Sequence, residues 1–280
     1  MKNKILFILI ILLSFILTSC VESKPHRPIY NYDEYEEEES SQEIFSEEQY
    51  SMGLNAPYSE SIADTSSSID REYVYVANAP VGTEGLSERY VKLDVKFLSQ
   101  KPELPSGCEI TSLTTVLNFY GFNVSKTEMA DNYLPKSDTS KDFWKVFVGN
   151  PRYNTGFGCY AQPITEAANK YLSEQGSSLR AYDYSDTPFE QLLFEVQSGC
   201  PVIIWATLNM AKPYYTYKWT LPDGSERRWI TPEHCLVLIG YDLNKGTAII
   251  SDPMRNIVEY DLDTVKARYT ALYSQCVIIR

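Results

Sequence analysis

Histidine is nearly absent: the chain holds two, His26 and His234. That excludes a histidine-built metal centre. Its six cysteines contain no Cys-x-x-Cys pair, which removes the usual structural zinc site, so no metal and no cofactor are expected. Basic residues are few, 25 against 37 acidic ones, for a formal charge of −12. Without a basic stripe the chain is not a nucleic-acid reader. Long apolar runs are also missing. The run from Ile5 to Leu13, continued past Ser14 to Leu17, falls short of the roughly 18–20 residues of a spanning helix. No internal repeat is visible.

What is present is unevenly spread. Residues 21–88 carry sixteen acids and three bases, whereas residues 89–280 carry 21 and 20. Lys2 and Lys4, the apolar run and the tetrapeptide Leu17-Thr18-Ser19-Cys20 have the layout of a secretory signal. LTSC resembles the bacterial lipobox, whose cysteine is lipidated. The expectation is a lipoprotein signal over residues 1–19, with Cys20 anchoring the exported chain to the membrane. Residues 20–88, with six acids between Asp33 and Glu39 and serines at Ser40–Ser41 and Ser66–Ser68, repel themselves and bury little. They are expected to be a disordered tether. The 44% hydrophobic composition then serves a nearly neutral domain over residues 89–280.

Within that domain, Tyr90 to Phe97 alternates like a strand. Cys108 to Tyr120 has apolar residues at helical spacing, and Ser125-Lys126-Thr127-Glu128 is a capping box. Gln162–Glu174 and Pro188–Gln197 predict further helices. Strands are predicted at Val202–Thr207, Cys235–Tyr241, Thr247–Ser251, Ile257–Tyr260 and Gln275–Ile279. Tyr214 to Ile230, turning at Pro222-Asp223-Gly224, predicts a hairpin. Its aromatics, Tyr214, Tyr215, Tyr217, Trp219 and Trp229, suggest a platform for a peptide or glycan. Helices first and strands later predict an α+β fold, a helical part packed on an antiparallel sheet.

Four residues carry candidate chemistry. Cys108 begins a helix after Pro105-Ser106-Gly107, where unpaired N–H groups favour a thiolate. His234 is the domain's one imidazole. If the chain turns about residue 244, His234 faces residue 254 and Asp252 becomes its diagonal neighbour, able to orient the ring. Gln100, on the loop before the helix, can join the Cys108 N–H as an oxyanion donor. The remaining cysteines, Cys159, Cys200, Cys235 and Cys276, are expected as core thiols, although an exported protein also permits disulfides.

The order Gln…Cys…His…Asp resembles the papain-like cysteine peptidases, and among them the bacterial double-glycine-peptidase-like branch. The likeness rests on Phe97-Leu98-Ser99-Gln100, Ser106-Gly107-Cys108-Glu109, the run from His234 through Gly240-Tyr241-Asp242, and Ser251-Asp252-Pro253, and covers about residues 90–280. It implies a papain-like fold, with Gln100, Cys108, His234 and Asp252 as oxyanion donor, nucleophile, base and orienting acid. It also implies a peptide or peptide-like substrate. The transporter-linked members carry membrane spans and an ATPase domain. This sequence shows neither, so leader-peptide processing does not carry over. The implied activity is thiol hydrolysis of a peptide or amide bond; acyl transfer, or an idle triad on a binding module, are the alternatives. A thiolate–imidazolium pair would make Cys108 the fastest-reacting thiol.

Overall fold

The computed structural model describes residues 82–280. The signal peptide, Cys20 and most of the tether lie outside them. Packing on the domain begins slightly upstream of residue 89. Leu86 lies against the core, the Glu88 N–H donates to Gln197 Oε1 (3.0 Å), and the Tyr241 hydroxyl donates to the Glu88 carbonyl. The last residues assigned to the tether therefore belong to the folded unit.

Helix α1 spans Cys108–Phe119, and a short turn α2, Lys126–Glu128, runs into a π-helical turn over Met129–Tyr133. Ser125 caps that turn, accepting the Glu128 N–H at 3.1 Å as its sequence predicts. Helix α3 is Ala161–Glu174 and α4 is Phe189–Gln197. A fifth helix, α5 over Leu262–Ala271, has no counterpart in the sequence reading. It buries only Val265 and Tyr269, too narrow a stripe to signal a helix, and starts on the Asp261 carboxylate, which accepts the Thr264 N–H.

Seven strands form the main sheet: β1 Tyr90–Lys92, β4 Ala181–Asp183, β5 Val202–Thr207, β8 Glu233–Asp242, β9 Thr247–Asp252, β10 Asn256–Asp261 and β11 Cys276–Ile279. The order is β10-β9-β8-β5-β11-β4, with β1 pairing β8 as well, and every pairing is antiparallel. Short strands β2 (Lys136–Ser137) and β3 (Phe147–Val148) pair separately, as do β6 (Tyr214–Thr220) and β7 (Glu226–Thr231).

Strand alternation divides the core into two layers. Trp205, Cys235, Val237, Ile239 and Ile249 face one side with Ile110, Leu113, Val116 and Leu117 of α1. Ile204, Leu236, Leu238 and Ile250 face the other, under Leu192, Leu193 and Val196 of α4 and Val265 and Tyr269 of α5. Strand β8 is thus buried along all ten residues. The chain is α+β as the sequence predicts, with helices on both faces rather than one. Gly240 marks a bulge where β1 crosses close: a Cβ there would meet the Val91 carbonyl at 2.3 Å.

The hairpin corrects an expectation. Along β6 the exposed residues are Thr216, Lys218 and Thr220, while Tyr215, Tyr217 and Trp219 turn inward. Trp219 and Trp229 pack on Phe143 and Phe157, and Trp229 is 1% exposed. Trp229 is therefore core and no part of a platform, while Tyr215, Tyr217 and Trp219 are half-buried against it. The five cysteines of the described residues are free and buried, which for Cys159, Cys200, Cys235 and Cys276 is the core-thiol expectation.

Candidate active site

Strands β8 and β9 meet in the predicted register. Val237 pairs Ser251 and Leu238 pairs Ile250. Running that register back puts His234 opposite residue 254 and leaves Asp252 diagonal to it. The two side chains meet there: His234 Nε2 lies 2.8 Å from Asp252 Oδ1, with 4% and 1% of the side chains exposed. Oδ1 also accepts the Met254 N–H at 2.8 Å. Burial pushes the Asp252 carboxyl up, but His234, the Met254 N–H and Arg255 outweigh it and hold the pKa below the ordinary value. Asp252 is therefore a carboxylate, which can only accept. Nε2 must be the protonated ring nitrogen, and Nδ1 is left as the acceptor.

Gln100 is delivered to the same corner. Its backbone N–H donates to the Pro253 carbonyl at 2.9 Å, tying the loop before α1 to the end of β9. Its Nε2 donates to the Pro105 carbonyl at 2.9 Å and keeps a second N–H.

Cys108 is the first residue of α1. Gly107 precedes it because a Cβ there would meet Leu104 Cβ at 2.8 Å and Pro151 Cβ at 3.1 Å, and no side chain caps the helix. The first-turn N–H groups stay open for an anion. The thiol itself departs from the sequence expectation. It donates to Glu109 Oε2 at 3.3 Å and makes no hydrogen bond to His234. Burial is the first cause that pushes its pKa well above the ordinary range, followed by the charges of Glu109 and Glu233. A helix N-terminus alone argued for a thiolate. Burial argues the other way and prevails, helped by the charges of adjacent Glu109 and of Glu233, which β8 brings in from more than a hundred residues away.

Glu109 and Glu233 were not singled out from the sequence, although Glu109 sits within the Ser-Gly-Cys-Glu motif. Both are buried. Glu109 Oε1 accepts the Cys159 N–H at 3.0 Å, and the Cys159 carbonyl takes the Trp205 indole N–H. One ligating atom each from Cys108, Glu109 and Glu233 lies within 4.8 Å of the others. A divalent cation could be held there only by taking the sulfur, so metal binding and thiol chemistry would exclude each other.

The structure thus joins His234 to Asp252, brings Gln100 to Pro253, and sets Cys108 against Glu233 and the backbone N–H of Cys235, the residues either side of His234. Alkylation by iodoacetamide at neutral pH is therefore expected to be slow at Cys108 and to climb about tenfold per pH unit from neutral into the alkaline range, without levelling off where an ordinary thiol does. Glu109→Gln removes an anionic acceptor, so the labelling curve should move to lower pH and neutral-pH labelling should rise several-fold. Peptide mapping after timed labelling checks this; matching curves for variant and wild type would contradict it.

The Peptidase_C39 like family model matches residues 92–277. The uncharacterized protein YvpB of Bacillus subtilis is 31% identical over 157 residues, 54% of this chain and 60% of that protein, so the match spans less than two thirds of this relative. A solved structure, a putative C39-like peptidase from Bacillus anthracis, superposes with a TM-score of 0.62 at 29% identity, covering 69% of this chain and 98% of the other. From the end of β1 into β11, across both helix α1 and strand β8, the chain belongs to the Peptidase_C39 like family.

Proposed function

We propose that this protein is a thiol hydrolase of peptide or amide bonds, working through Cys108, His234, Asp252 and Gln100. The observation that carries the reading is the buried His234–Asp252 pair, one residue along β8 from the groups that touch a thiol at an uncapped helix start. In this reading the resting thiol swings from Glu109 toward His234, and Nδ1 takes its proton. The sulfur attacks the substrate carbonyl carbon. The Cys108 N–H and the second Nε2 hydrogen of Gln100 hold the oxyanion. The imidazolium, stabilised by Asp252, then protonates the leaving amine, and the thioester that remains is hydrolysed by water with His234 as base. An added amine in place of that water would make the enzyme an acyltransferase on the same residues.

Digestion of a peptide library by the full chain, with products read by mass spectrometry with and without added amine, tests the activity. Cleavage products absent from Cys108→Ala support it, and an intact library overturns it. In the same reading the exported enzyme is anchored to the cell membrane, facing outward, by lipid on Cys20, supported by Leu17-Thr18-Ser19-Cys20 after the apolar run. Palmitate labelling should be lost in Cys20→Ala; equal labelling of both chains would remove the anchor.

A further inference from the structure

Asp252 uses only one of its oxygens. Oδ1 takes both the His234 ring and the Met254 N–H, whereas Oδ2 is buried and has no hydrogen-bond partner. The Tyr260 hydroxyl, also buried, is in the same condition and, unlike the nearby Gln100 Oε1, can donate. Tyr260 lies on β10, opposite Ala248 of β9, on the face that carries Ala248, Ile250 and Asp252. Its hydroxyl approaches Asp252 and Arg255, and burial together with the Asp252 charge pushes its pKa up. It therefore stays a donor across the neutral range. A buried acceptor and a buried donor, each unmatched, both become satisfied if the O–H turns onto the free oxygen.

We infer that Tyr260 is a positioning residue of the site, donating its hydroxyl hydrogen to Asp252 Oδ2 and so fixing the carboxylate that orients His234. This rests on the thiol-hydrolase reading for its effect on turnover, but not for its effect on the imidazole. The bond has two consequences. It stops the carboxyl group from rotating about its Cβ–Cγ axis, and it draws off part of the charge that would otherwise favour the imidazolium. The other titratable groups around the pair are Arg255, exposed in the turn after Asp252, and the Cys108–Glu109–Glu233 cluster beside the start of β8. Removing the Tyr260 hydroxyl leaves all of them in place.

The chain's two histidines make the test direct. The imidazole signals of the full chain are followed by NMR against pH, with His26→Ala assigning His234. Tyr260→Phe is expected to raise the His234 midpoint by about half a pH unit. In the peptide assay it should lower kcat about five- to tenfold with KM unchanged, and move the limbs of the pH profile. An unchanged midpoint overturns the inference, even if Cys108→Ala and His234→Ala are both dead, which would uphold the hydrolase reading alone. Conversely, a wild type without turnover removes that reading, while a shifted midpoint still upholds the Tyr260 contact. If Tyr260→Phe folds poorly, 3-fluorotyrosine placed at 260, a stronger donor, should move the midpoint downward; no movement would again count against it.

Discussion

Cys108→Ala is expected to lower peptide turnover by roughly ten-thousandfold or more, with a melting temperature within a few degrees of wild type. The size follows from the role. Residues that act as a unit fail together, and a missing nucleophile leaves only binding and the oxyanion donors. The small change in stability follows from the substitution, since one sulfur leaves a small gap beside α1. His234→Ala should lose nearly as much activity but much more stability. It strands the Asp252 carboxylate, which is fully buried, and breaking a buried pair costs about 3–5 kcal/mol. Asp252→Ala should be mildest in turnover, because that group orients the base and takes no proton. The order Cys108 ≥ His234 > Asp252 in kcat, measured beside thermal melts, is the sharp form. A Cys108→Ala protein with normal turnover would leave the site without a nucleophile.

The second large effect lies outside the four residues. Gly158 has φ of +133°, and a Cβ on it would sit 2.3 Å from Glu109 Oε1 and 3.0 Å from the Trp229 ring. Neither neighbour can retreat. Glu109 is fully buried and held by the Cys159 N–H, and Trp229 is packed under Phe143, Phe157 and Tyr160. Gly158→Ala combines a backbone conformation that other residues rarely adopt with overpacking, together about 3–5 kcal/mol. Against a domain stability of about 5–15 kcal/mol, that is a large share. The expected result is a lower urea midpoint with unchanged slope, and a displaced Glu109 that frees the thiol for alkylation. Adding Glu109→Ala should recover part of the loss, because it removes the closest contact. A double-mutant cycle that shows strict additivity would mean the carboxylate is not what the methyl strikes.

Much of this site is written in local pattern. Cys108 to Phe119 declares itself by apolar spacing, and the turn at residues 242–246 sets the β8–β9 register, so the meeting of His234 and Asp252 could be worked out on paper. What escaped depends on residues distant in sequence sharing a volume. The charge around the thiol is one case, because Glu233 precedes the histidine and nothing local says that it points at Cys108. The aromatic hairpin is another. Alternation along β6 revealed two faces, but only Phe143 and Phe157, far upstream, decide which face is covered. Helix α5 was hidden because the few apolar groups it buries leave no stripe.

The strand buried on both faces also bears on timing. The Ser112 hydroxyl of α1 donates to the Cys235 carbonyl of β8, 123 residues further along. A chain made in order has its first helix long before the strand that helix lies on, and such non-local pairings form late. Until β8 arrives with Cys235, Cys108 and Cys159 are ordinary solvent-exposed thiols, open to oxidation and mispairing. Afterwards they are sealed in the same cluster. Oxidative damage to this protein should therefore be concentrated in its birth and its unfolding, and a brief oxidant pulse during synthesis should do more harm than a long one applied to the finished fold.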